Sequence, residues 1–551
     1  MTDNKNRENQ YQEKANKYVA EYLHCKQSFA YFCRNYVMLE LPGKDVLFDP
    51  YSKQLELIEL VEEVKHVIVL KSRQIGISTV VKAYIAWLTT FFDNAVVGIV
   101  SKDGPEATDF GRGVRNMVEK TPDWMKPKGG QSGLGFSKKS EQSYILTNGS
   151  KLYVSTVTPI APEKTLRGKA LTLLVIDEAA FINKVDEAWT AMVPALSTNQ
   201  MLARKAGVPF GTIILSTPNK TLGMGKWYFN KYSRAISNDG ILTPFTIHWK
   251  MIPQLINDPS WYKTQCDLLD NDKNKISQEL ELKFLPASGS FFDAEVMENV
   301  QDSCVEPIEK LKIFNGEVWK FAEPAPGKYY LIGVDTATEY GEDRSAITIW
   351  DYETLEQVWE YQSKCKVLDF VKIVQVAAAQ YPGLIVVESN SCGNQVVEQI
   401  NDSEYATMLY KEKSGLKTIK PGLTTSAKTR PLIIDALYSY VNQYPESIKS
   451  KRLALELSSL ISHKSGRVEA ESGLHDDLAM STGICFYVRK YDPPLLVDRS
   501  SMNQAADIAA LINQNDGITS EFTSDAIIHK VKSNMEEYGG FVDIMSMYGN
   551  E

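Results

Sequence analysis

Residues Leu70–Val80 read LKSRQIGISTV and follow the apolar stretch His66–Val69. A glycine between a buried strand and a helix lets backbone N–H groups surround phosphate oxygens at the helix N-terminus. Hydroxyls just beyond it can ligate Mg2+, and a lysine neutralises phosphate charge. Gly76, Ser78 and Thr79 supply the glycine and the hydroxyls, while Ile77 stands where the lysine normally does. Ser72, Arg73 and Gln74 are the loop's other polar residues. Alone, this segment also fits a plain strand-to-helix turn. A second segment, LTLLVIDEAAF, is an apolar strand ending in Asp177 and Glu178. Acids at the carboxyl end of a parallel strand face the ligand crevice of an α/β sheet. There Asp177 would hold Mg2+ and Glu178 would orient or deprotonate an attacking water; the structural alternative is a cap on the next helix. A third strand, GTIILSTPN, ends in Ser216, Thr217 and Asn219, groups suited to sensing a γ-phosphate.

A separate set of acids lies further along. Asp335 ends the strand in KYYLIGVDTATEYGEDRSAITIWDYE, Glu388 ends the strand in LIVVESN, and GLHDDLAMSTGICF opens a helix with His475, Asp476 and Asp477. An acid inside an apolar strand is costly unless something positive neutralises it. Converging acids achieve this by binding two Mg2+ or Mn2+ ions about 4 Å apart, an arrangement that serves phosphodiester displacement. Adjacent helix positions point about 100° apart, so one of Asp476 and Asp477 is the expected ligand. Asp343 is either an auxiliary ligand or a solvated turn acid. His475 either positions a phosphate or caps the helix. Between these acids, GLTTSAKTRPLIIDAL places Thr424, Thr425, Ser426, Lys428 and Arg430 ahead of a helix. That group suits a DNA backbone contact or, more plainly, a capping turn. The basic KSGLKTIKPG is expected as a hairpin beside the same groove.

The elements that must position these residues follow from the apolar pattern. HVIVL, AVVGIV, KLYVSTV, LTLLVIDEA and GTIILSTPN alternate with helical stretches, which predicts a mostly parallel sheet buried on both faces. The chain is expected to divide into a helical segment (1–44), a first α/β domain (45–250), a helical connector (251–315), a second β-rich domain (316–496) and a polar tail (497–551). At 551 residues it is too long for one core. MGKWYFNKY has aromatics at helical spacing and reads as core. Seven scattered cysteines without a CxxC pair fit reduced thiols. No apolar run approaches the roughly 20 residues that span a bilayer, and the polar N-terminus lacks a signal-peptide core, so an intracellular protein is expected. The net charge of −9 argues against a uniformly DNA-coating surface but permits a local basic groove.

Together, SRQIGIST, LLVIDEAAF and ILSTPN, in that order, resemble the ATPase domain of the large terminase subunit of tailed bacteriophages. The resemblance spans roughly residues 45–490. It implies a P-loop (RecA/ASCE-like) parallel-sheet ATPase domain followed by a ribonuclease-H-like nuclease domain, whose HDDL helix is similar to that of terminase and resolvase nucleases. Some members carry the phosphate-serving lysine at the start of the loop, where Lys71 stands. Arg73 matches one proposed arginine finger, and Arg167 in TLRGK matches another that acts across subunits. LFDPYSKQLELI is similar to the family's adenine-recognition segment, with Gln54 reading the base edge and Tyr51 stacking; otherwise Gln54 is an exposed helical glutamine. The implied cofactors are ATP and Mg2+, with Mn2+ an option at the nuclease site. The implied partners are double-stranded DNA, a portal protein, a small terminase subunit and further copies of the chain in a ring, with no membrane. The implied location is the host cytoplasm, docked on a prohead and absent from the mature virion. Two rival readings are a helicase-type repair or remodelling nuclease and an ATP-binding assembly factor that does not hydrolyse ATP.

Overall fold

The structure, a computed structural model, describes residues 2–128, 134–286, 289–338, 341, 343–414, 418–463 and 465–494. The 497–551 tail and the 415–417 tip of the basic hairpin lie outside the described residues. The chain forms two compact units that divide between Glu298 and Asn299.

The first unit has a short hairpin, β1 (Met38–Leu41) and β2 (Lys44–Leu47), and an eight-stranded sheet. The sheet strands are β3 (His66–Lys71), β4 (Val96–Ser101), β5 (Phe136–Ser140), β6 (Ser143–Leu146), β7 (Lys151–Thr156), β8 (Leu173–Asp177), β9 (Gly211–Ser216) and β10 (Thr243–Ile247), in spatial order β10-β3-β9-β8-β4-β7-β6-β5. The six strands from β10 to β7 run parallel, while β6 and β5 fold back antiparallel. Every residue of β8 and β9 is buried. That is what covering both faces of a parallel sheet requires, and it explains their unbroken apolar runs. β5, β6 and β10 had no comparable run: β5 is largely exposed and β10 is half-buried, so neither needed one. In the helix Lys226–Ile236, Tyr228, Phe229 and Tyr232 are fully buried core residues, as their spacing implied. The 251–315 stretch contributes the helices Pro253–Ile256, Pro259–Leu268 and Lys273–Glu279 to the first unit.

The second unit is built on a six-stranded sheet: β11 (Glu309–Ile313), β12 (Gly316–Lys320), β13 (Tyr330–Asp335), β14 (Ser345–Asp351), β15 (Gln357–Ser363) and β16 (Gly383–Val387), in order β11-β12-β15-β14-β13-β16. All neighbours are antiparallel except β13 and β16, which are parallel; the helix Val367–Gln380 carries the chain from β15 across to β16. An antiparallel meander followed by a helix and a parallel strand is the ribonuclease-H-like order. Two further hairpins follow, β17 (Lys411–Ser414) with β18 (Thr418–Pro421) and β19 (Leu460–Ser462) with β20 (Val468–Ala470). The helix Asp477–Tyr491 closes the described part of the unit and lies against β13 at very short range. A side chain at Gly333 would meet the Ser481 carbonyl at 2.0 Å, so only glycine allows the approach. Ser481 Oγ donates to Gly333 O at 2.9 Å and lies 2.9 Å from Thr348 Oγ1, which fixes the register of helix on sheet.

All seven cysteines are free. Among the described residues, no helix is long and apolar enough to cross a membrane.

Candidate functional site

In the first unit, β3 delivers Lys71 and the loop turns at Gln74 and Gly76, both left-handed (φ 58° and 74°), into the helix Ile77–Phe91. Ile77 sits in the core, so its side chain is unavailable to any phosphate. Lys71 Nζ, buried, lies 2.7 Å from Glu178 Oε1. Ser78 Oγ lies 3.3 Å from both oxygens of Asp177, which puts a hydroxyl and an acid that could hold a divalent cation side by side. Burial pushes the Asp177 carboxyl up to about 6, helped by Glu178 and opposed by Lys71, Lys82 and the Ser78 hydrogen bond. A buried acid left this short of positive charge is suited to a cation. Glu178 is left-handed (φ 52°), and the turn after it is held from β9: Ser216 Oγ accepts from Ala180 N at 3.1 Å, and Asn219 Nδ2 donates to Ala180 O at 2.9 Å. Ser216 and Asn219 therefore touch the turn behind the acids and tie it to β9.

Other expected nucleotide ligands are placed differently. Gln54 is 2 % exposed, so it is not a surface glutamine. Its Nε2 donates to the carbonyls of Ile75 and Gly76 at 3.1 Å, and its Oε1 accepts from Tyr51 N at 2.9 Å, so its amide braces the loop instead of facing a base. Ser72 turns away as well: its Oγ donates to Leu280 O at 2.7 Å and accepts from Trp249 N at 3.1 Å. Arg73 is exposed but leans on Glu279, with Nη1 3.7 Å from Oε2 and its backbone N–H 2.8 Å from Glu279 O. The Arg167 side chain is exposed and without a partner among the described residues. Thr79 is half-buried one position beyond Ser78. Sequence reading missed residues 279–281, which grip the loop. Glu281 anchors them through His248 Nε2 (3.3 Å), Lys250 Nζ (3.2 Å) and Trp249 Nε1 (3.1 Å).

In the second unit, Val334 and Val387 are register partners, and Glu388 N donates to Val334 O at 2.9 Å. Asp335 and Glu388 thus leave neighbouring strand ends, whose backbones run about 4.8 Å apart. Burial, then the charges of Glu388, Asp477 and Asp476, drive the Asp335 carboxyl far above its ordinary value. Asp477 accepts from Arg344 N at 3.1 Å; burial and then Asp476 push it up to about 8. Asp343, His475 and Asp477 each place one ligand atom within 4.8 Å of the others. His475 Nδ1 lies 3.8 Å from both Asp343 Oδ1 and Asp477 Oδ2. Asp477 therefore faces both groups, whereas Asp476 turns to Arg430, 3.5 Å away. Hard carboxylate oxygens gathered at the sheet's edge form a donor set suited to Mg2+ or Mn2+.

Of the residues expected against DNA, Lys428 is exposed, and Thr424 Oγ1 receives Lys420 Nζ at 3.0 Å. Ser426 is engaged in a turn, where its Oγ accepts from Lys428 N and Thr429 N at 3.2 Å. Sequence reading also missed Glu456, which is buried with its carboxyl raised by burial and by Asp477. It accepts from Ala479 N at 3.0 Å and from Gln362 Nε2 at 2.8 Å, pinning the start of the helix that carries Asp477. The available signal was an acid among Leu453, Leu455 and Leu457 in a helix that is buried throughout.

No family model matches the chain. It is similar to the HK97 bacteriophage large terminase over 84% of this chain and 99% of that one, at 10% identity and a TM-score of 0.37. The large terminase of a thermophilic bacteriophage, in complex with ADP, matches over 81% of this chain and 100% of its own, at 12% identity and a TM-score of 0.32. The large terminase nuclease of a further thermophilic phage, G20c, with bound magnesium, matches over 36% of this chain and 98% of its own, at 17% identity and a TM-score of 0.28. At these scores the likeness adds nothing to the topology and site geometry above; the solved structures that this chain is similar to are large terminases.

Proposed function

We propose that this chain is a viral DNA-packaging motor subunit, hydrolysing ATP in its first unit and cutting DNA in its second. One observation carries the reading: a single chain holds a paired Lys71–Glu178 and Ser78–Asp177 site on a parallel sheet, and a separate cluster of mutually repelling acids on a ribonuclease-H-like sheet. In the first, Gly76 and the helix start cradle phosphates, Lys71 neutralises them, Ser78 and Asp177 hold Mg2+, and Glu178 orients water. Arg73 and Arg167 are candidate fingers for charge developing on the γ-phosphoryl oxygens, the second reaching a neighbouring subunit's site in a ring. In the second, Asp335, Glu388 and Asp477 hold the divalent cations, with Asp343 and His475 at the outer edge. Bound there, the ions would activate water and stabilise the leaving oxygen. Thr424, Thr425, Lys428 and Arg430 carry the duplex backbone. A portal, a small subunit and a prohead in the host cytoplasm are the partners and place this activity requires.

The test is a double dissociation in the full chain. Glu178→Gln is expected to lower DNA-stimulated ATP turnover by about 10²–10⁴-fold, the usual worth of a positioned general base, and to leave metal-dependent plasmid cutting intact. Asp335→Asn is expected to do the reverse. Turnover unchanged in the first variant, or cutting unchanged in the second, removes that half of the reading.

A further inference from the structure

We propose that Asn390 is a positioning residue that ties the Glu388 carboxylate to the 424–430 segment, so that the metal-holding acid and the duplex contact share one support. This rests on the nuclease reading above. Asn390 Nδ2 donates to Glu388 Oε1 at 3.1 Å and to Thr425 O at 2.7 Å. An amide nitrogen carries two hydrogens, and here each has one acceptor. The surrounding backbone makes this a built joint. Glu388 bridges Leu423 in parallel, and Ser389 N donates to Leu423 O at 2.8 Å. Ser389 Oγ lies 3.3 Å from Thr424 Oγ1, and Thr424 N donates to Glu412 Oε2 at 3.2 Å. Asn390 itself is held by the next helix, since Gly393 N donates to its carbonyl at 2.8 Å.

The backbone bridge alone would close this turn, so the side chain is not needed for it. What the side chain adds is a fixed direction for one oxygen of Glu388, an acid whose charge already raises Asp335. Residues that orient a ligand from behind are commonly worth about 10–100-fold in metal affinity. Thr425, whose carbonyl takes the other hydrogen, has a buried hydroxyl with no partner among the described residues; so does Thr336, which follows Asp335. Movement of the Thr425 backbone would thereby bear on the same amide that aims Glu388.

The experiment is a Mn2+ titration of the full chain without nucleotide or DNA, followed by electron paramagnetic resonance. The signal of interest is the part lost in Asp335→Asn. Asn390→Ala is expected to weaken that part about tenfold or more. It should also lower kcat for plasmid cutting more than it raises KM, while the melting midpoint and ATP turnover stay at wild-type values. Asn390→Ser, whose single short hydroxyl cannot span both acceptors, should behave alike and serves if the alanine variant does not fold. Mn2+ binding and cutting at wild-type level in either variant overturns the proposal, as does a lower melting midpoint with unchanged metal binding. Absence of an Asp335-dependent signal from the wild type defeats the nuclease reading itself, and this inference with it.

Discussion

At the residue scale, the loop after β3 has isoleucine where a phosphate-binding loop ordinarily has lysine. Ile77 is 1 % exposed in the core, whereas Lys71 reaches the acid at the end of β8 from the other end of the loop. Under the proposed ATPase reading, the charge is thus moved, not lost. Lys71→Ala is expected to lower ATP turnover about 10²–10³-fold, as removing one preorganised donor does elsewhere. Adding Ile77→Lys, which restores the ordinary motif, should not rescue it and should lower the melting midpoint, because it forces an ammonium into an apolar core. Steady-state turnover and thermal melting of the two variants check this; rescue by the second substitution would show that Ile77 faces the phosphates.

At the element scale, polar side chains off the surface hold the elements together. Arg452 and Glu360 are 2 % and 0 % exposed, joined at 2.7 Å. The guanidinium also donates to Glu317 O and stacks on Trp319, 4.2 Å from the ring centroid. Removing one partner strands the other charge, so Arg452→Ala is expected to cost about 3–5 kcal/mol, read by denaturant unfolding of the second unit's transition. A loss below about 1 kcal/mol, the scale of a surface pair, would refute it. Glu281 makes a pH prediction. Burial opposes its charge, but His248, Trp249 and Lys250 outweigh burial and hold its carboxyl at about 2, against an ordinary 4.5. A carboxyl depressed on folding contributes stability that is complete above about 4.5 and lost as pH falls towards 2. The contribution is on the order of 3 kcal/mol by the usual conversion. Glu281→Gln should therefore lower the melting midpoint at pH 6 and flatten its fall between about pH 4.5 and 2; parallel curves for the two proteins would contradict this.

At the scale of the whole molecule, the two clusters lie on opposite sides of the division in the chain: Lys71, Ser78, Asp177 and Glu178 fall before Glu298, and Asp335, Glu388 and Asp477 after it. That separation is why the Glu178→Gln and Asp335→Asn effects are expected to be independent, in the way substitutions without shared partners usually add. Under the proposed function, the net charge of −9 suits a protein that would meet duplex only through local groups such as Lys428.

By itself the sequence determined the strand cores and the acids at their ends. Apolar runs such as LTLLVID and LIVVE must be buried, and a carboxylate that closes such a run emerges at the sheet's edge whatever the packing. It also marked Gly76 and the hydroxyls after it. Only the tertiary structure decided which polar side chains serve the protein itself. Gln54 and Ser72 look like ligands in the chain, yet their hydrogen bonds are satisfied by Ile75, Gly76 and Leu280. Tertiary structure likewise turned Asp477 towards the acids and Asp476 towards Arg430, and brought Glu279, Glu456 and Asn390 into place. The physical reason is range: burial of an apolar run is a local property, whereas a hydrogen-bond partner on another element, from 21 residues away for Gln54 to 208 for Ser72, is set by how strands and helices pack.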